Sequence, residues 1–144
     1  MRSRNSCYTY FQISGNFDPV EISKILKLKP DKITRIGEPI DGRGKRKAAT
    51  WEIGRCDEYN VAIENQMRKA IAPLLDKIPL LNKIREEYDV KFWLSIVPTL
   101  YVGEIAPILA PPLDIIDFCH ETRTEIDIDL YLCQAERAVR ESNT

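Results

Sequence analysis

Residues 90–100 read Val-Lys-Phe-Trp-Leu-Ser-Ile-Val-Pro-Thr-Leu, in which Phe92, Leu94 and Ile96 alternate with Lys91, Trp93 and Ser95. Successive side chains of a strand point to opposite faces, so a period of two sends the first set one way and the second set the other. Three other stretches carry the same signal. Residues 7–14 (Cys-Tyr-Thr-Tyr-Phe-Gln-Ile-Ser) are rich in aromatic and β-branched types. Residues 49–54 (Ala-Thr-Trp-Glu-Ile-Gly) alternate likewise. Residues 125–133 set Ile126, Ile128, Leu130 and Leu132 against Glu125, Asp127, Asp129 and Tyr131. Strands with one apolar and one polar face belong to a sheet that helices cover on one side only. The expected fold is therefore α+β: a mainly antiparallel β-sheet with helices packed on one face and the other face open.

The helices are legible between these strands. Asp18-Pro19-Val20-Glu21 is a helix start, with Asp18 as N-cap, Pro19 at the first helical position and Glu21 at the third. Ile22, Ile25 and Leu26 follow at helical spacing, and the helix is expected to end near Leu28, ahead of Lys29-Pro30. Residues 32–36 read as a short extended piece. The segment 41–47 (Asp-Gly-Arg-Gly-Lys-Arg-Lys) reads as a mobile, basic loop. From 60 to 88 the apolar residues recur at helical spacing; Pro79 divides the pattern into two helices, and Pro73 kinks or breaks the first. Glu104–Leu109 reads as a hairpin partner for the strand before it, and Pro111-Pro112 opens a short helix to about His120. With no repeat, linker or low-complexity run, a single domain over 1–144 is expected, its core at about 7–133 and a polar, helix-prone tail at 136–144.

Composition bounds the function. The 144 residues are 44% hydrophobic and 30% charged, and 21 basic against 22 acidic side chains leave a formal net charge of −1. A chain of about 150 residues buries roughly two thirds of its unfolded surface, enough for a core without disulfide or metal staples. The even charge balance speaks against a general nucleic-acid binder, which carries a basic excess. No run of about 18 apolar residues occurs, and no apolar segment follows the basic Met1–Ser6, so neither a membrane span nor a secretory signal is expected. A cytoplasmic protein is expected. The four cysteines (7, 56, 119 and 133) include no C-x-x-C pair. Buried reduced thiols are expected, with two disulfides as the alternative. The one histidine, His120, adjoins Cys119, but adjacent helix residues point about 100° apart, so the pair is no catalytic dyad. No catalytic set, metal site or cofactor is expected.

Several short motifs occur together in order. Gly15-Asn16-Phe17-Asp18-Pro19 with Glu21-Ile22 is followed by Leu26, Leu28-Lys29-Pro30, Gly37-Glu38-Pro39, Trp51-Glu52-Ile53, Leu94-Ser95-Ile96-Val97 and Ile126-Asp127-Ile128-Asp129-Leu130-Tyr131. This series, over residues 7–133, resembles the bacterial domain-of-unknown-function 4279 family. The resemblance implies a compact α+β domain and a bacterial source. It implies no activity and no catalytic residues, so none are carried over. The glycine-bearing basic tip at 42–47 is a departure, in a segment expected to vary.

Strand parity names the candidate surface. If Thr9, Phe11, Ile13, Trp51, Ile53, Phe92, Leu94, Ile96, Ile126, Ile128 and Leu130 are core, the open face carries Tyr8, Tyr10, Gln12, Thr50, Glu52, Lys91, Trp93, Ser95, Glu125, Asp127, Asp129 and Tyr131. Aromatics among charges suit protein recognition, because tyrosine and tryptophan offer rigid amphipathic contact area. The binding candidates are thus Tyr8, Tyr10, Trp93, Glu125, Asp127, Asp129 and Tyr131. A face that merely keeps the chain soluble, or that pairs two copies, is the plain alternative. The acidic strand, with carboxylates about 7 Å apart, is the candidate for a metal-assisted hydrolase. Arg43, Lys45, Arg46 and Lys47, with Arg35, are the candidate phosphate contacts of a nucleic-acid accessory protein. That loop lacks the aromatic residue base stacking needs, and Gly42-x-Gly44-Lys45 lacks phosphate-loop spacing. The leading expectation is a non-catalytic protein-binding module, of immunity or accessory type in a toxin system. Its partner is another protein or a second copy, with nucleic acid disfavoured and no membrane.

Overall fold

In a computed structural model, which describes residues 3–58 and 62–134, the elements follow in this order. β1 is Ser6–Asn16, α1 Pro19–Leu26, β2 Lys32–Thr34, β3 Pro39–Ile40, β4 Gly44–Lys45, β5 Ala49–Cys56 and α2 Ile63–Ile71. A 3₁₀ turn (Ala72–Leu74) then leads to α3 (Ile78–Glu87), β6 (Asp89–Tyr101), α4 (Leu113–Thr122), β7 (Glu125–Ile128) and β8 (Tyr131–Cys133). The main sheet has the order β2-β5-β1-β6, with β7 and β8 both on the far side of β6. Pairs β2/β5, β5/β1 and β1/β6 are antiparallel, whereas β7 and β8 run parallel to β6. The fold is the expected α+β, with one parallel edge. A parallel return needs a long crossover, and residues 102–124 with α4 supply it.

Parity holds across the three central strands. Cys7, Thr9, Phe11 and Ile13, Trp51 and Ile53, and Phe92, Leu94 and Ile96 are buried on the helix side. There they meet Ile22 and Leu26 of α1, Met67 and Ile71 of α2, Leu81 and Ile84 of α3, and Ile115 and Phe118 of α4. Phe11 sits centrally, its ring 5.7 Å from that of Phe92 and 6.2 Å, edge-on, from that of Phe118. Among the described residues, buried side-chain polar groups are answered except at Arg85 Nε. Trp51 Nε1 donates to Ser23 Oγ at 2.9 Å, tying α1 to β5. Gln66, fully buried on α2, accepts from Thr9 Oγ1 at 2.9 Å and donates to the carbonyls of Cys7 and Glu58, each at 3.1 Å. Among the described residues no helix is long and apolar enough to cross a membrane.

Several local expectations are corrected. Asp18 caps α1, accepting from Val20 N at 3.0 Å with Pro19 behind it, but the helix ends at Leu26 rather than Leu28. Lys27 adopts a left-handed conformation (φ 54°) and its amide returns to Ser23 O, so the helix closes before Pro30 has any influence. The tip at 41–47 is no open loop: β3 and β4 pair as a small hairpin, clamped by Gly37 N to Arg46 O and Arg46 N to Glu38 O, each 2.8 Å. Residues 104–109 form no strand, because the far side of β6 is taken by β7 and β8. The helix after Pro112, α4, runs on to Thr122, and its Leu113 and Ile116 are exposed while Phe118 is buried. The tail at 136–144 lies outside the described residues.

The strand expected at 125–133 is interrupted. β7 and β8 keep one register against β6, Trp93 with Glu125 and Thr99 with Tyr131, the same offset of 32 residues. The gap at Asp129–Leu130 falls opposite Val97–Pro98. Asp129 N donates to Ile96 O at 2.9 Å, so backbone groups of even-numbered residues here face β7 and β8. Pro98 is next in that row and has no N–H to give. Ile128 (40% exposed) and Leu130 (53%) are not core. Only Ile126 of this strand packs against the core, since the edge runs out beyond the helices. Cys133 is half-buried, and all four cysteines are free.

A second irregularity matters more to the surface. Between Thr9↔Cys56 and Phe11↔Ile53, β5 has one more residue than β1. This bulge carries Gly54 at φ 75°, the glycine position of a G1 bulge. A Cβ there would lie 2.1 Å from Ala70 O, so α2 seats directly on this glycine. The added residue turns Arg55 out of the parity that would have buried it. Gly54→Ala should cost at least about 2 kcal/mol through the left-handed backbone and the clash with α2. Thermal or urea unfolding would read this as a clear loss; an unchanged midpoint would contradict the close seating of α2.

Candidate functional site

The open face is built in rows across four strands. One row is Glu52, Gln12, Trp93 and Glu125, and the next is Tyr10, Ser95 and Asp127. Tyr8 follows beside Val97, and Tyr131 beside Thr99. Tyr8 and Tyr10 lie two residues apart on β1, so both project outward, and their rings stack with centroids 6.0 Å apart at 15°. The bulge places the Arg55 guanidinium 4.1 Å above the Tyr8 ring. Lys91 Nζ stands 5.9 Å from the Trp93 ring centroid. Cations at such distances are held by the negative ring face. Gln12 Nε2 donates to Glu52 Oε1 at 2.9 Å. Ser95 and Val97, at the middle of this face, are only 6% and 5% exposed, because the surrounding aromatics shelter them. The result is an aromatic floor with cations at Arg55 and Lys91 and carboxylates along the β7 edge.

Titration reflects this packing. Burial lifts the Tyr10 phenol above its ordinary range, and the Ser95 hydroxyl beside it acts in the opposite direction. Tyr131 donates to Asp129 Oδ2 at 3.1 Å, and that bond, with the carboxylate charge, holds its phenol protonated to higher pH. On the helix side, burial alone pushes the Cys119 thiol up to about 11, and burial likewise raises Cys7. These thiols are packing groups and poor nucleophiles.

Of the sequence-derived candidates, Tyr8, Tyr10, Trp93, Glu125, Asp127, Asp129 and Tyr131 share the open face. Glu125, Asp127, Asp129 and Tyr131 are exposed; Tyr8, Tyr10 and Trp93 are half-buried. Among the described residues no ion pair involves Glu125, Asp127 or Asp129. No three His, Cys, Asp or Glu side chains among them are placed to share a metal ion. Arg43, Lys45, Arg46 and Lys47 belong to the β3/β4 hairpin, which forms its own two-stranded sheet apart from the face. The basic residues of the hairpin and the acidic strand thus belong to two separate sheets.

A family model described as domain of unknown function (DUF4279) matches residues 5–133. The chain belongs to this family. No curated protein and no solved structure matches it. The matched span of this DUF4279 chain contains every described strand of the main sheet and the four described α-helices.

One member of the face escapes strand parity. Arg55 sits at an odd position of a strand whose odd positions are buried; only the glycine before it hints at a bulge. Val97 obeys parity although its side chain is apolar: it lies on the open face beside Tyr8. The raised values have a common consequence for stability. A group whose folded pKa is raised stabilises fully below its unfolded value and loses that contribution as pH rises through the folded one. For Cys119 the window is 9.0 to about 11, and Tyr10 adds to it above its unfolded 10.0. Urea midpoints should fall as pH rises from about 9 to 11. Tyr10→Phe should make that fall shallower and remove a late-titrating phenol from the phenolate absorbance curve. A fall of the same steepness, with the lost phenol titrating in the ordinary tyrosine range, would count against burial of Tyr10.

Proposed function

We propose that this DUF4279 chain is a non-catalytic protein-binding module of the bacterial cytoplasm, of immunity or accessory type, that meets a cationic partner through the open sheet face. The observation that carries this is the half-buried aromatic set Tyr8, Tyr10 and Trp93, held rigid by stacking and by Arg55 and bordered by Glu125, Asp127 and Asp129. Rigid aromatics lose little side-chain freedom on binding and supply most of the energy of small interfaces. A carboxylate border adds attraction for a basic surface and speeds encounter. A toxin acting on nucleic acid presents such a basic surface, which motivates the immunity reading. Arrays of carboxylates can also hold a metal for hydrolysis, but metal catalysis needs ligands converging on one point, and these three project side by side along an edge.

Capture from source cells tests the proposal. Wild type should retain a partner that is lost with Trp93→Ala and with Asp127→Lys, each change weakening binding by about 2 kcal/mol as expected at a central anchor. Lys45→Ala with Lys47→Ala should retain it. Unchanged capture by the face variants, with their melting temperatures intact, would overturn the proposal; loss with the hairpin variant alone would favour the nucleic-acid reading.

A further inference from the structure

β7 and β8 form one margin of the main sheet, and among the described residues both pair only with β6. Because Asp129 N is spent on Ile96 O, odd-numbered residues of this edge turn their backbone groups inward. The N–H and C=O of Ile126, Ile128, Leu130 and Leu132 therefore point away from the sheet. Among the described residues they have no backbone partner. The side chains alternate in step with this ladder. On the open face stand Glu125, Asp127 and Asp129; on the helix side stand Ile128, Leu130 and Leu132, exposed by 40%, 53% and 69%. At the start of β7, a groove of about 460 Å³ between α4 and the edge is lined by Ile116, Cys119 and Ile126, among others.

We propose that this edge takes up an extended segment of a partner protein as an added strand, one whose residues alternate between Lys or Arg and an aliphatic type. The proposal rests on the binding-module reading and specifies its partner. Side chains directly opposite on neighbouring strands come within about 5 Å. An added strand would thus set its cations beside Asp127 and Asp129 while its aliphatic residues cover Ile128 and Leu130 and reach the groove beside Ile126. Main-chain bonds to the outward N–H and C=O groups supply affinity, and the two alternating faces supply selectivity. A second copy of this chain is the wrong occupant. Two such edges brought together would place carboxylate rows against each other, and like charges facing across strands repel. Simple protection of the edge explains the acids but not the aliphatics: a merely guarded edge has no use for three exposed aliphatic side chains in line.

The probe is an eight-residue peptide alternating Lys and Val, blocked at both ends, and its isomer with the four Lys and the four Val in separate runs. Binding to the full chain is followed by fluorescence anisotropy and by amide exchange. The alternating peptide should bind at least tenfold more tightly than the isomer, and more weakly as salt rises. Ile128→Pro removes one outward N–H and leaves the β6 ladder intact, and it should weaken binding at least tenfold, as should Asp127→Lys. Ile128→Val, which keeps the N–H, should bind as wild type, and this separates a lost donor from a damaged fold. The amides of Ile128 and Leu130 should slow in the complex, whereas Asp129 is protected with or without peptide. Equal binding of the two peptides, or none, overturns the proposal, as does indifference to Ile128→Pro. Protection of Ile128 and Leu130 in the free chain overturns it too, as a dimer in sedimentation or as an edge covered by the chain's own residues. Binding lost with Trp93→Ala but kept with Ile128→Pro rejects the edge and leaves the face reading intact.

Discussion

Eleven residue pairs join β1 to β6 without a break, from Ser6 with Thr99 to Asn16 with Asp89. Everything else in the structure takes its orientation from this ladder. A slip of β1 by one residue against β6 would turn Phe11 and Ile13 to solvent and carry Tyr8 and Tyr10 into the helices. The apolar rows prevent that shift, since it would expose the side chains that α2, α3 and α4 cover. The face that carries the aromatic set is thus a by-product of core burial on the opposite side. Its composition is free to serve recognition because stability is secured elsewhere.

Two backbone devices then depart from the regular ladder, one on each side of it. The bulge at Gly54 turns Arg55 onto Tyr8 and at the same time lets Ala70 approach β5 at a distance no side chain would permit. Pro98, fourth from the end of β6, withholds one donor on the side of the parallel edge, opposite the gap between β7 and β8. The first device tightens the domain and stiffens the aromatic cluster. The second leaves the edge with fewer bonds than the strands inside it, in the region where the aliphatic residues stand uncovered.

Much of this was legible in the amino-acid order because the signals were local. The alternation at 90–96 and at 7–14 gave strand, face and core together, and Asp18-Pro19 gave a helix start that the cap hydrogen bond realises. Pro73 and Pro79 marked the breaks in the long helical pattern at the 3₁₀ turn and at the first turn of α3. What local signals could not give were partners. Residues 104–109 have strand composition, but the side of β6 they would need is held by residues 125–133. Ile128 and Leu130 alternate correctly, yet nothing local says where the helix layer stops. Arg55 joined the face only through a bulge, whose register depends on pairing with β1. Lys27 ended its helix by a left-handed turn that a lysine seldom adopts.

The β1–β6 ladder also sets an order of events during synthesis. Its partners are separated along the chain by 73 residues at Asn16 and Asp89 and by 93 at Ser6 and Thr99. Contacts of such long range make a fold slow, because a large loop must close before any pair is gained. At about 5–20 residues per second, β1 emerges roughly 4–15 seconds before the first of β6 has been made. Through that interval a nascent strand bearing Tyr8, Tyr10, Phe11 and Ile13 has β5 and the helices α1 to α3 to shelter it, but not β6. The sequence that becomes the centre of the sheet is, on the ribosome, an apolar segment still without its longest-range partner strand.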